Sequence, residues 1–338
     1  MANTDTSIEK TAVYKFSAED GQFKRQISQF RSIVSADPTA EFPAEAGRYV
    51  LYINYGCPWA HRVNLVRSLK GLENVIQLVA MDHILTPNGW TYTGRDGTEP
   101  QDPLHGFKYL RDLYLKADPN YNARFTVPVL WDKKKSTIVN NESSEIIRML
   151  YFAFDALVEP HLREQSRPGG GLYPVHLRQD IDAMNDWVYN TVNNGVYKVG
   201  FAGTQAAYDA NIYPLFTSLD RLEEHLADSA HQPYLFGPHI TEADVRLFVT
   251  LIRFDVAYYT IFKCNLKMIR HDYPRLHLWL RRLYWDEGPE TNGGAFKNTT
   301  WFKPIKEGYA ASIKSNITPA GPVPNIIGPE RQDLSADS

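Results

Sequence analysis

Arg48 to Met81 reads RYVLYINYGCPWAHRVNLVRSLKGLENVIQLVAM, and its three parts decide the fold. Arg48 to Asn54 is rich in aromatic and β-branched residues and predicts a strand. Pro58 to Lys70 predicts a helix closed by Gly71, since glycine takes the left-handed conformation that ends helices. Asn74 to Met81 predicts a second strand. A strand, a helix and a strand of this length imply parallel strands joined by a right-handed crossover.

Working outward, residues 1–46 form an extension with one weak amphipathic stretch, Phe23, Ile27 and Phe30, before Asp37-Pro38 and Phe42-Pro43 break any helix. After a Gly/Pro-rich loop over 86–103, a helical pattern runs through Leu104, Phe107, Leu110 and Leu113. Val127 to Trp131 and Thr137 to Val139 predict two short strands around the charged turn Asp132 to Lys135, followed by a helix from Glu142 to Phe152. The order β-α-β-α-β-β-α is that of a thioredoxin-like domain, placed here at residues 47–158. Pro168-Gly169-Gly170-Gly171 marks a boundary, and residues 172–312 read as an all-helical domain with helices over 177–193, 205–227, 242–262 and 274–284. Thr241-Glu242-Ala243-Asp244 reads as a capping box at the start of the third of these. The tail, residues 313–338, is Pro-rich from Pro319 to Pro329. The expected fold class is therefore an α/β domain followed by an all-α domain.

Composition narrows the function. The 338 residues exceed the roughly 250–300 at which single cores stop growing, so two domains are expected. A formal charge of −3 gives no field to gather nucleic acid or anionic lipid. The first residues hold no apolar leader and no arginine, which predicts a cytoplasmic protein. The most apolar stretch, Leu247 to Phe262, is interrupted by Arg253 and Asp255, so no membrane span is expected. Only 2 Cys accompany 20 Tyr, 16 Phe and 7 Trp, which fits a reducing compartment and excludes a disulfide framework. His271 and His277 lack zinc spacing, and the triple glycine is not followed by Lys-Ser/Thr, so neither a metal site nor a P-loop is expected.

Cys57 stands at a strand-to-helix junction, where free N–H groups and the helix dipole favour a thiolate; its pKa is expected to fall below that of a free cysteine. Ala60 occupies the fourth position of what would be a Cys-x-x-Cys motif, so a resolving thiol must come from outside. Cys264 reads as a packed residue. Leu247, Leu251, Phe254, Tyr258 and Phe262 share one helical face, which buries Tyr258.

Cys57-Pro58-Trp59-Ala60-His61-Arg62, Thr126 to Asp132 (TVPVLWD), Asn141-Glu142-Ser143 with Glu145 to Arg148, Thr191 to Lys198 (TVNNGVYK) and Phe262-Lys263-Cys264 together resemble the Xi class of glutathione transferases, the glutathionyl-hydroquinone reductases. The resemblance spans about Gly21 to Gly328. It implies glutathione as co-substrate, a homodimer, and quinone or hydroquinone substrates. It also implies a cis Val127-Pro128 peptide presenting Val127 backbone to the tripeptide, with Trp90, Arg124, Glu142 and Ser143 as further glutathione ligands. Tyr197 corresponds to the proton donor, and Tyr258 and Tyr309 to residues supporting the thiolate, although Gly308-Tyr309-Ala310 departs from the family's usual His-Tyr-Tyr. Cys57 would attack the glutathionyl sulfur, and a second glutathione would resolve the mixed disulfide. The rivals are an Omega-like thioltransferase or dehydroascorbate reductase and a non-catalytic carrier of aromatic ligands. Conjugation to electrophiles fits a cysteine at this position less well.

Overall fold

The computed structural model describes residues 18–324. The first residues, on which the leader-free reading rests, and the tail beyond Pro324 lie outside the described residues. Strand β1 (Tyr49–Asn54), helix α1 (Pro58–Leu69) and strand β2 (Gln77–Met81) form the expected crossover unit, with Val50 opposite Gln77 in a parallel pair. Helix α2 (Leu110–Ala117), strands β3 (Val129–Asp132) and β4 (Thr137–Asn140) and helix α3 (Ser143–Phe152) come next in the chain. The sheet order is β2-β1-β3-β4, with β3 antiparallel to both neighbours. As an inner strand with covered faces, β1 is buried along its whole length, which explains its unbroken apolar run.

The helical pattern beginning at Leu104 is realised only from Leu110. The Asp102 carboxylate draws a turn here, accepting from the Leu104 and His105 N–H groups at 3.4 and 2.9 Å and from the Tyr52 hydroxyl at 2.9 Å. Gly106 then takes φ +68°, so the apolar residues at Leu104 and Phe107 belong to a loop.

The amphipathic spacing at Phe23, Ile27 and Phe30 forms no helix. The segment runs extended because its aromatic rings dock on opposite halves of the molecule. Phe23 stacks on Tyr197 and Phe201, while Phe30 stacks on Tyr121 and Ile27 is 80% exposed. At one end the Gly21 carbonyl accepts from Gly203 N–H at 2.9 Å; at the other, Phe30 carbonyl accepts from Asn141 N–H and Ser32 N–H donates to Val139. Its last residues cover the free edge of β4, where a long bare edge would be an aggregation liability.

The second half is helical: α4 (Arg178–Val188), α5 (Gly195–Gly200), α6 (Gln205–His225), α7 (Glu242–Arg253), α8 (Ile269–Asp272), α9 (Pro274–Trp285), α10 (Ala295–Asn298) and α11 (Phe302–Ser312). The continuous helices expected over 177–193 and 242–262 each end in a widened π-type turn, Tyr189–Asn193 and Phe254–Tyr258. Their closing bonds, Asn194 N–H to Tyr189 carbonyl and Tyr259 N–H to Phe254 carbonyl, are 2.9 and 2.8 Å. The expected capping box is present, since the Asp244 carboxylate accepts from Thr241 N–H at 2.8 Å. It also accepts from Leu235 N–H and Trp279 Nε1, which fastens α7 to α9. No helix among the described residues is long and apolar enough to cross a membrane.

One ion pair pins the sheet. Arg48 Nη2 lies 2.5 Å from Asp132 Oδ2, with side chains 7% and 0% exposed. Removing one partner strands the other charge out of water. Arg48→Met should therefore destabilise the protein by about 3–5 kcal/mol. Urea unfolding checks this, and a loss below about 1 kcal/mol would mean the pair behaves like a surface one.

Candidate active site

Cys57 is the N-cap of α1, with extended backbone at φ −80° and ψ 122°, and Pro58 begins the helix, where a missing N–H costs nothing. The turn before it is fixed locally. Gly56 N–H donates to Asn54 Oδ1 at 2.7 Å, and Asn54 Nδ2 donates to the Asp82 carbonyl at 2.6 Å. A side chain at Gly56 would meet the Pro304 carbonyl oxygen at 3.1 Å, so α11 approaches closely here. Cys57 Sγ faces the Val127 carbonyl oxygen at 3.9 Å and opens into a solvent-connected cleft of about 1120 Å³ between the two halves.

The thiol does not have the lowered pKa expected of a helix start. Burial pushes it up, and this outweighs the downward pull of the Ala60 N–H, Arg253, the Trp59 N–H and Arg25. The helix-terminal donors are in place; desolvation of the charged form is the larger effect. Cys264 is fully buried in the helical half and its thiol is likewise pushed up by burial. Both cysteines are free.

The Val127-Pro128 peptide is cis. Val127 lies just before β3, and among the described residues its N–H has no partner. Val127, Pro128, Arg124, Glu142 and Ser143 line a groove of about 530 Å³, and Val127 and Arg124 also line the cleft that holds Cys57 and Trp90. Glu142 caps α3, accepting from Ser144 N–H at 3.1 Å. Its carboxyl sits below the usual range: burial pushes it up, but Arg62 and the Ser144 and Ser28 donors pull it further down. Ser143 Oγ accepts from the buried Arg62 guanidinium at 2.6 Å. Burial lowers the Arg124 pKa, with the like charge of Arg25 adding to the effect.

The three tyrosines meet. Tyr197 and Tyr309 hydroxyl oxygens are 2.7 Å apart, and those of Tyr309 and Tyr258 are 2.8 Å apart. The directions come from proton accounting. Tyr258 is fully buried, and Tyr309 is the near partner of its hydroxyl at 2.8 Å, so it donates to Tyr309. Tyr309 must then donate to Tyr197, which leaves the Tyr197 proton free toward the cleft that Tyr197 and Tyr309 line. Burial pushes the Tyr197 phenol up to about 12 and those of Tyr258 and Tyr309 well above their ordinary value, so Tyr197 is the readiest of the three to lose a proton.

Further residues belong to the site. Phe23 and Arg25, in the N-terminal extension, line the cleft. The Arg25 guanidinium lies 4.3 Å over the Trp59 ring, and its Nε donates to Asn194. Arg253 donates to the carbonyls just before Cys57. Its sequence signal is a charge inside the most apolar helical stretch; Phe23 and Arg25 have none. Opposite them, His83, Asp96 and Glu307 offer ligand atoms within 4.8 Å of one another, but Lys303 Nζ already sits 2.7 Å from Asp96. This cluster ties α11, and with it Tyr309, to the loop carrying Trp90.

Comparison with known proteins adds to the geometry. Residues 56–151 match the family model for the glutathione S-transferase N-terminal domain, and residues 205–282 match that for the C-terminal domain. Glutathione S-transferase omega-like 2 of Schizosaccharomyces pombe is 49% identical over 94% of this chain and 99% of its own. The glutathione S-transferase Xi structure from Phanerochaete chrysosporium superposes with TM-score 0.84 at 48% identity, covering 92% of this chain and 96% of that one. The chain belongs to the Xi class of glutathione transferases. Glutathionyl-hydroquinone reductase YqjG of Escherichia coli is 44% identical to this Xi-class chain over 95% of its length and 93% of the relative's. Its glutathione-bound structure superposes with TM-score 0.78 at 42% identity, covering 90% and 94% of the two chains. In this Xi-class transferase, Tyr197, Tyr309 and the Phe23–Arg25 segment fall outside both family-model matches.

Proposed function

We propose that this transferase reduces S-glutathionyl-hydroquinones to hydroquinones with glutathione as reductant. The observation that carries the reading is a single cysteine at a helix start, without a resolving neighbour, facing the same cleft as a tyrosine with a proton to give. Glutathione would lie along the Val127 edge, with its γ-glutamyl end at Glu142 and Ser143 and its glycyl end toward Trp90 and Arg124. The Cys57 thiolate attacks the glutathionyl sulfur, forming an S–S bond and breaking the bond from sulfur to ring carbon. The electron pair left on that carbon takes the Tyr197 proton. A second glutathione thiolate then attacks the mixed disulfide, leaving as glutathione disulfide, and its proton restores Tyr197. Apolar and aromatic walls, among them Phe23, Leu85, Phe125 and Phe201, suit the hydroquinone ring.

A thioltransferase would use the same cysteine but has no carbon to protonate, so the tyrosine chain favours the reductase. Mass spectrometry after mixing with one equivalent of a glutathionyl-hydroquinone tests the reading: a glutathione adduct on Cys57 should appear together with free hydroquinone. Because burial holds the thiol up, adduct formation should climb about tenfold per unit between roughly pH 7 and 8. Hydroquinone released without any adduct would refute the mechanism.

A further inference from the structure

We propose that Arg253 is the positioning residue of the nucleophile: from α7 in the helical half it holds the turn that presents Cys57 and places beside it a positive charge with no resident anion. Arg253 is fully buried. Its Nε donates to the Gly56 carbonyl at 3.1 Å and its Nη2 to the Tyr55 carbonyl at 3.2 Å, the two residues before Cys57. Its Nη1 donates to the Val249 carbonyl at 2.7 Å and to His61 Nδ1 at 2.9 Å.

Every one of these acceptors is neutral. His61 receives the guanidinium proton on Nδ1, so its own proton is on Nε2, where it reaches Thr299 Oγ1 at 3.0 Å. Burial and the neighbouring Arg253 charge keep that ring from taking a second proton, so it stays neutral. Arg253 forms no ion pair with a described carboxylate, and none lines the Cys57 cleft among the described residues. Arg48, by contrast, is matched to Asp132 and Arg148 to Glu242.

A buried cation without an anion is costly to keep. Here the reaction itself supplies the missing charge, first as the Cys57 thiolate and then as the Tyr197 phenolate. The Arg253 charge pulls down the pKa of Cys57, Tyr197, Tyr258 and Tyr309 alike. The titratable and charged side chains about the thiol and its cleft are Arg253 from α7, Arg25 from the N-terminal segment, Arg124 before β3, His83 after β2, and Tyr197 backed by Tyr309 and Tyr258. Arg253 alone among them both fixes the backbone of the turn and carries charge.

The inference rests on Cys57 being the nucleophile, but its test needs neither glutathione nor hydroquinone. The pH dependence of Cys57 alkylation by iodoacetamide, tracked on the Cys57 peptide by mass spectrometry, is compared for the full-length protein, Arg253→Gln and Arg253→Lys. Arg253→Gln should move the midpoint up by about one pH unit and slow alkylation about tenfold at neutral pH. Arg253→Lys, which keeps the charge, should recover most of that shift. A midpoint unchanged in Arg253→Gln, or raised as far in Arg253→Lys, overturns the proposal. Should Arg253→Gln not fold, His61→Glu places a carboxylate against the guanidinium and should raise the midpoint in the same way; an unchanged midpoint there also overturns it. A missing glutathione adduct would instead refute the reductase reading and leave the alkylation profile intact.

Discussion

Cys57→Ser is expected to release hydroquinone from a glutathionyl-hydroquinone more than about a thousandfold more slowly than the unaltered protein. Serine fits the same N-cap and keeps the turn at Gly56, so the cleft is preserved and only the nucleophile changes. A serine hydroxyl stays protonated near neutral pH, and attack on sulfur needs a soft thiolate. Ala60 cannot substitute, and Cys264 is fully buried in the helical half. Stopped-flow release of hydroquinone, with product glutathione disulfide measured in parallel, gives the rate. A loss under tenfold would move the chemistry away from Cys57, with glutathione itself attacking the bound thioether.

The second large effect concerns the hydroxyl chain. Tyr197→Phe removes the only proton aimed at the cleft from that chain and should slow hydroquinone release in a single turnover by about a hundredfold to ten-thousandfold. Its fold should hold, because the Tyr309 hydroxyl then faces the cleft and finds water. Tyr309→Phe acts differently. The Tyr258 hydroxyl, fully buried, loses its acceptor at 2.8 Å, at a cost of about 1–3 kcal/mol. The Tyr197 phenolate also loses its donor, so release slows as well. The pair of outcomes separates the roles: activity alone falls in Tyr197→Phe, while activity and melting temperature fall together in Tyr309→Phe. A Tyr197→Phe rate equal to the unaltered one across the pH range would remove Tyr197 as the acid.

The fold is legible where local chemistry decides it. The crossover unit from Arg48 to Met81 reads from strand residues, Pro58 and Gly71, and the capping box at Thr241 from four consecutive letters. Cys57 at a helix start is equally local. Its thiol pKa is not, because the sign depends on how much water the surrounding cleft removes, and that is assembled from segments far apart in sequence. Asp102 shows the same limit on a smaller scale: three donors converge on one carboxylate and override the periodicity of Leu104 and Phe107. Phe23 and Arg25 are unreadable as site residues because nothing in an extended segment says which surface it will cross. Arg253 is visible only as a charge in the wrong place, and its meaning comes from the carbonyls it meets.

The widened turns at Tyr189–Asn193 and Phe254–Tyr258 bear on how such a site could arise. Each holds one residue more than a regular helix would use over the same rise, and an extra residue rotates the remainder of the helix by about 100° around its axis. One turn precedes Tyr197 and the other ends at Tyr258, so the two hydroxyls that flank Tyr309 both lie at or after an offset in helical phase. Without that offset the same residue's ring would leave its helix about 100° away and would not meet Tyr309. Where the hydroxyls meet is thus set by chain length in two helices as much as by the tyrosines themselves, and deleting one residue from either widened turn should part them.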